Sequence, residues 1–66
     1  MARPTLEQDC NVFIATLRAL GSSAGNGALR VALGWSDTRY WKVHAHLFAV
    51  EMIVKGRGRG GSVSLA

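Results

Sequence analysis

The residues best suited to chemistry lie near the end of the chain, in Gly56-Arg-Gly-Arg-Gly-Gly61. Arg57 and Arg59 have no acid beside them, and a guanidinium offers a planar fork that matches phosphate oxygens and the electronegative minor groove of DNA. The surrounding glycines let the backbone approach a phosphate closely and donate its N–H groups to it. The chemistry on offer is phosphate binding, not bond breaking. The plainer alternative is a solvated hairpin tip, charged to discourage edge-to-edge aggregation. Gly56, Gly58 and Gly61 also fit G-x-G-x-x-G, but a dinucleotide site needs a helix after those glycines to hold the pyrophosphate, and Ser62 to Ala66 is too short for one. An arginine-glycine RNA-binding tract would be longer and more repetitive.

The other reactive residue types exclude more than they suggest. His44 and His46 point about 200° apart if they sit on one helix, with no cysteine or carboxylate at ligand spacing, so a core-edge His44 and a surface His46 are expected and no metal. Cys10 is the single cysteine; it can form no internal disulfide and is expected as a small buried apolar residue. The four acids and scattered serines give no nucleophile–base pair. No catalytic residue, no cofactor and no small-molecule substrate is expected.

The chain has 66 residues, enough for one small domain, with nearly half its residues apolar and a net charge of +4. Such a chain packs a core, though a small one. Arg39, Lys42, Lys55, Arg57 and Arg59 fall in the second half against Asp37 and Glu51, and a basic face of this kind fits a polyanion, though ordinary solubility would also account for it. No apolar run reaches the roughly 20 residues of a bilayer crossing, and Glu7, Asp9 and Arg18 break up the segment a secretory signal would need. A cytoplasmic, nucleoid-associated protein is expected.

Four elements must position these groups. Thr5 and Gln8 form a capping box, and Leu6, Cys10, Phe13, Leu17 and Leu20 then give a helical stripe, widened by Ile14 and closed by Gly21. Ser22 to Gly25 reads as a small-residue linker. Asn26 is expected to cap a short helix whose apolar side is Leu29, Ala32 and Leu33; Gly34 ends it and Trp35 plugs the turn. Ser36 caps a third helix with Tyr40, Val43, Leu47 and Val50 on the core side, its end blurred by the apolar run that follows. Strands from Ile53 and Ser62 flank the glycine-arginine loop. The expected spans are helices over 5–20, 26–33 and 36–51 and a hairpin over 53–65, in one α+β, mainly α domain. Two helices on so tight a turn form a helix-turn-helix unit.

Taken together, Gly27-Ala-Leu-Arg-Val-Ala-Leu-Gly34, Tyr40-x-x-Val43-x-x-x-Leu47 and Ile53-Val-Lys-Gly-Arg-Gly-Arg-Gly-Gly-Ser-Val63 resemble the second helix, recognition helix and wing of the winged helix-turn-helix DNA-binding domains of prokaryotes and phages. The resemblance covers about Thr5 to Leu65. It implies a three-helix core with a β-hairpin wing, the third helix in the major groove and the wing on backbone or minor groove. One departure is visible: such domains usually have a glycine where the third helix ends, and here Glu51-Met52 takes that place. The terminal Gly-Arg-Gly-Arg-Gly-Gly-Ser-Val also looks like wings attached to restriction-modification and methyltransferase proteins.

The expectation is therefore a double-stranded DNA-binding module, a transcriptional regulator or accessory recognition protein without chemistry of its own. Arg39, Trp41, Lys42 and His46 would meet the major groove, with Thr38 and Ala45 close to the bases. Lys55, Arg57 and Arg59 would hold phosphate or minor groove, and Arg30 would add a backbone contact. A homodimer or a larger protein partner would raise the affinity of so small a footprint. The alternative is a protein-interaction winged helix, a subunit or fragment of a larger restriction-modification-type complex, docking through Trp41 and the Val12 side of the first helix. An RNA-binding wing is a further rival, separable by competing duplex RNA against duplex DNA.

Overall fold

A computed structural model describes residues 5–56 and 61–66. The first helix, α1, spans Leu6–Ala19. It starts as its sequence requires: the Gln8 amide donates to the Thr5 hydroxyl at 3.1 Å and the Thr5 amide donates to the Gln8 side chain at 3.0 Å, so two amides without helical partners are satisfied reciprocally. It ends in a Schellman turn, with Gly21 N–H on Arg18 O and Ser22 N–H on Leu17 O.

Past that turn, Ser23–Gly25 forms a strand, β1, where composition had suggested a linker. Its three small residues carry no strand propensity of their own; the partner makes the strand. Helix α2, Asn26–Leu33, follows directly, and α3, Asp37–Ala49, after a tight turn. The α2 cap position is Gly25 and makes no side-chain bond, so Asn26 is not the cap but the first helical residue. The α3 cap is Ser36, whose hydroxyl accepts from the Arg39 amide at 3.3 Å.

Strands β2, Ile53–Lys55, and β3, Ser62–Leu65, complete an antiparallel sheet in the order β1-β3-β2. Register is Ile53 to Leu65 and Lys55 to Val63 on one side of β3, and Ala24 to Val63 on the other. The central strand thus ties the end of the chain to the segment between α1 and α2. The described residues make three helices and a three-stranded antiparallel sheet, α+β and mostly helical.

The core joins Cys10, Phe13 and Leu17 of α1, Leu29 of α2, Trp35 of the turn, Tyr40, Val43 and Leu47 of α3, and Ile53 and Val63 of the sheet. Burial of each large apolar member contributes roughly 1.5–3 kcal/mol, so a chain this size depends on all of them. The Trp35 plug holds, with its ring centroid 6.4 Å from that of Phe13. Three stripe residues do not join: Leu6, Leu20 and Val50 are exposed. Ala32 is exposed as well, leaving Leu29 and part of Leu33 as the inner side of α2.

Val50 is out because α3 stops early. The helix ends at Ala49, not Glu51, and closes in a second Schellman turn, Glu51 N–H on Phe48 O and Met52 N–H on Leu47 O. That turn requires a left-handed residue, and Glu51 supplies it at φ 61°. Glutamate therefore does at this position what glycine does more cheaply.

Candidate nucleic-acid interface

Helix α3 buries Tyr40, Val43 and Leu47, half-buries His44 and leaves the other side of its circumference exposed. Thr38, Trp41, Lys42, Ala45 and His46 are all exposed, on the side expected. They divide between two depressions. Thr38, Arg39 and Lys42 border a polar one with Leu6 and Asp9 of α1. Trp41, His44, Ala45, Phe48 and Ala49 border the other, an open groove of about 480 Å³ whose far wall is Val54, Lys55, Gly61 and Ser62. Helix and hairpin thus share one concavity, with Lys42 on the outer surface of the helix and Lys55 on the hairpin wall.

Two of the expected contact residues are occupied within the chain. Arg39 donates from Nη2 to Asp9 Oδ1 at 2.6 Å and from Nε to Asp9 Oδ2 at 3.2 Å, a fork-to-fork pair that ties α3 to α1. Its guanidinium also lies 4.5 Å from the centroid of the Trp35 ring. The hydrogen bonds that Arg39 donates to Asp9 raise the Arg39 pKa further above its already high value. Arg30, half-buried on α2, pairs through Nε with Asp37 Oδ1 at 3.2 Å. Both acids come from elsewhere in the sequence, so helical periodicity gives no sign of them. Arg57 and Arg59 lie outside the described residues.

The groove has a different character from the polar mixture expected. Trp41 and Phe48 are each about half exposed, at 48% and 50%, and Val54 at 42%. His44 stands between the two aromatics, edge-on to Trp41 at 5.0 Å and parallel to Phe48 at 6.3 Å between centroids. Its burial lowers its pKa from the usual 6.5, because a partly enclosed imidazolium loses hydration. His44 is thus neutral at neutral pH and adds no cation to the wall. Phe48 and Val54 were missed because they sit in an apolar run whose periodicity is blurred; within α3, Phe48 lies seven residues after Trp41, close to two turns, and so shares its exposed face.

Asn26 holds the two walls together. Tyr40 donates its phenol proton to Asn26 Oδ1 at 2.5 Å, and Asn26 Nδ2 donates to Gly61 O at 2.5 Å. The Asn26 amide reaches the same carbonyl at 2.9 Å. A core residue of α3, the first residue of α2 and the base of the hairpin are fixed by one side chain. Burial raises the Tyr40 phenol to about 12, keeping it a donor throughout the physiological range. Gly61 sits at φ 83° and a Cβ there would come within 2.8 Å of Asn26 Nδ2, so this close approach requires glycine. Gly56 is restricted by space alone, since a Cβ would lie 2.9 Å from that of Ser62.

Cys10 is buried, with its thiol pKa raised first by desolvation and then by Asp9; it is a packing residue, not a nucleophile. Among the described residues no three His, Cys, Asp or Glu side chains gather as a metal would require. No described helix is long and apolar enough to cross a membrane. Compared with known proteins, the chain matches no family model, no curated protein and no solved structure.

Proposed function

We propose that this protein is a double-stranded DNA-binding module of winged helix-turn-helix type, with α3 as the helix that enters the major groove and the β2–β3 hairpin as the wing. The observation that carries the reading is the shared concavity: an uncovered helix face and a hairpin wall, side by side, with Lys55 lining the groove and Lys42 exposed on the same helix. A major groove admits one helix, and an adjoining hairpin then reaches the flanking backbone. The order of elements, with β1 inserted between the first two helices and paired to the hairpin, supports the same reading.

In this reading Lys42 and Lys55 neutralise phosphate, while Thr38, Trp41, Ala45 and His46 face the base edges. Arg57 and Arg59 add charge from the sequence between β2 and β3. Arg39 is a positioning residue: bonded to Asp9, it fixes α3 against α1 instead of reaching a base. The role is regulatory or accessory, with affinity from phosphate neutralisation and discrimination from a few base contacts.

Titration of ¹⁵N-labelled protein with a duplex at low salt tests this directly. The amides of Thr38, Lys42, Ala45, His46 and Lys55 and the Trp41 indole should shift together. Absence of any shift, or shifts confined to α1 and α2, would refute it.

A further inference from the structure

The uncovered side of α3 carries one cation that can read guanine, Lys42, and no unengaged arginine. Arginine is the commonest guanine reader, forking onto O6 and N7. Here Arg39 spends its fork on Asp9 and lies over Trp35, and Arg30 is engaged with Asp37. What remains toward the hairpin is apolar: Trp41, Ala45, Phe48 and, across the groove, Val54. An apolar surface on a DNA-facing helix has one feature to match in the major groove. That feature is the methyl group at C5 of a pyrimidine, present on thymine and on 5-methylcytosine and projecting where Ala or Phe side chains contact it.

We infer that the groove between α3 and the hairpin recognises the C5-methyl group of a pyrimidine in duplex DNA, with Trp41, Ala45 and Phe48 as the residues that contact it. The inference rests on the DNA-binding reading and goes beyond it by naming what the site selects. The occupant is set by the surroundings of the groove as much as by its floor. Lys55 lines the hairpin wall of the groove, and Lys42, exposed on the same helix, borders the neighbouring depression with Thr38; cations beside an apolar centre fit the backbone phosphates that flank a base edge. An uncharged apolar partner would leave both lysines unmatched.

The test starts from two randomised duplex pools, one with ordinary bases and one with 5-methylcytosine in place of cytosine. The tightest binders from each are resynthesised with single methyl groups removed, thymine to uracil in one arm and 5-methylcytosine to cytosine in the other. Binding is read by fluorescence anisotropy. At one or two positions, loss of a methyl should weaken binding about fourfold, the equivalent of one buried carbon. In Trp41→Ala the same substitution should matter less than twofold, whereas Lys42→Ala should weaken all duplexes alike and keep the methyl effect. The arm in which the effect is seen identifies the base.

Duplex binding with no methyl dependence in either arm would overturn this inference and leave the DNA-binding reading standing. No duplex binding would overturn both. A methyl effect unchanged in Trp41→Ala and Phe48→Ala would remove it from this groove, and the exposed aromatics would then belong to a protein partner. Because the methyl groups are removed from the DNA, the test holds even if one protein variant folds poorly.

Discussion

Replacing Asn26 by alanine should be the most costly polar substitution in the described chain, through a partner it leaves behind. The side chain accepts from the Tyr40 phenol and donates to Gly61 O, each at 2.5 Å. Gly61 O keeps the Asn26 amide at 2.9 Å, so that carbonyl is not orphaned. The phenol fares worse. Tyr40 is fully buried, and a buried hydroxyl without an acceptor costs about 1–3 kcal/mol on top of a lost bond worth roughly 0.5–1.5. Asn26→Ala should therefore destabilise by about 2–3 kcal/mol and lower Tm by roughly 10–20 °C in a domain this small. Tyr40→Phe removes the other partner, but Asn26 is only partly buried and its free oxygen can meet water, so about 1 kcal/mol is expected. The double variant is diagnostic. With no hydroxyl left to orphan, it should be no less stable than Asn26→Ala alone, giving a coupling of roughly 1–2 kcal/mol. Urea unfolding followed by fluorescence of Trp35 and Trp41 measures all four corners. Additive losses, or an Asn26→Ala no worse than Tyr40→Phe, would refute this account of how the hairpin is held to the helix.

Two further effects follow from backbone and burial. Glu51→Gly should stabilise by about 0.5–1 kcal/mol, because relief of the left-handed penalty at φ 61° exceeds the added chain entropy of glycine. Glu51→Ala keeps the penalty and should be near neutral; thermal unfolding that shows glycine no better than alanine would contradict the assignment. The lowered pKa of His44 means the unfolded chain takes up a proton at a pH where the folded protein does not. Stability should accordingly fall as pH drops below about 6.5, and continue to fall until the folded-state pKa is passed. His44→Phe should flatten that slope in Tm measured from pH 7 to 5; an unchanged slope would place the titration elsewhere.

Local signals were legible and distant partnerships were not. The Thr5–Gln8 capping box, the Ser36 cap, the glycine stops and the Tyr40–Val43–Leu47 stripe depend on neighbours within a few residues, and all appear as their spacing requires. Strand β1 was invisible because Ser23, Ala24 and Gly25 have no strand character; their conformation comes from β3, some forty positions later. Asn26 looked like a cap because that is the common use of asparagine before a helix, but its partners are Tyr40 and Gly61. Arg39 looked free for a ligand because Asp9 lies 30 residues away. The end of α3 was hidden by the rarity of glutamate in a left-handed turn, and with it went the exposure of Val50. The exposure of Thr38, Trp41, Lys42, Ala45 and His46 was thus readable, while the part that Phe48 and Val54 take in the apolar groove was not.

The central claim is that Lys42 and Lys55, on helix and hairpin, together hold the backbone of duplex DNA. The salt dependence of duplex affinity for the wild type and for Lys42→Ala/Lys55→Ala, measured by fluorescence anisotropy, addresses it most directly. Each phosphate contact contributes about 0.9 to the slope of log affinity against log salt, so the double variant should bind more weakly with a slope shallower by roughly 2. Equal slopes, or an affinity indifferent to salt, would contradict the claim.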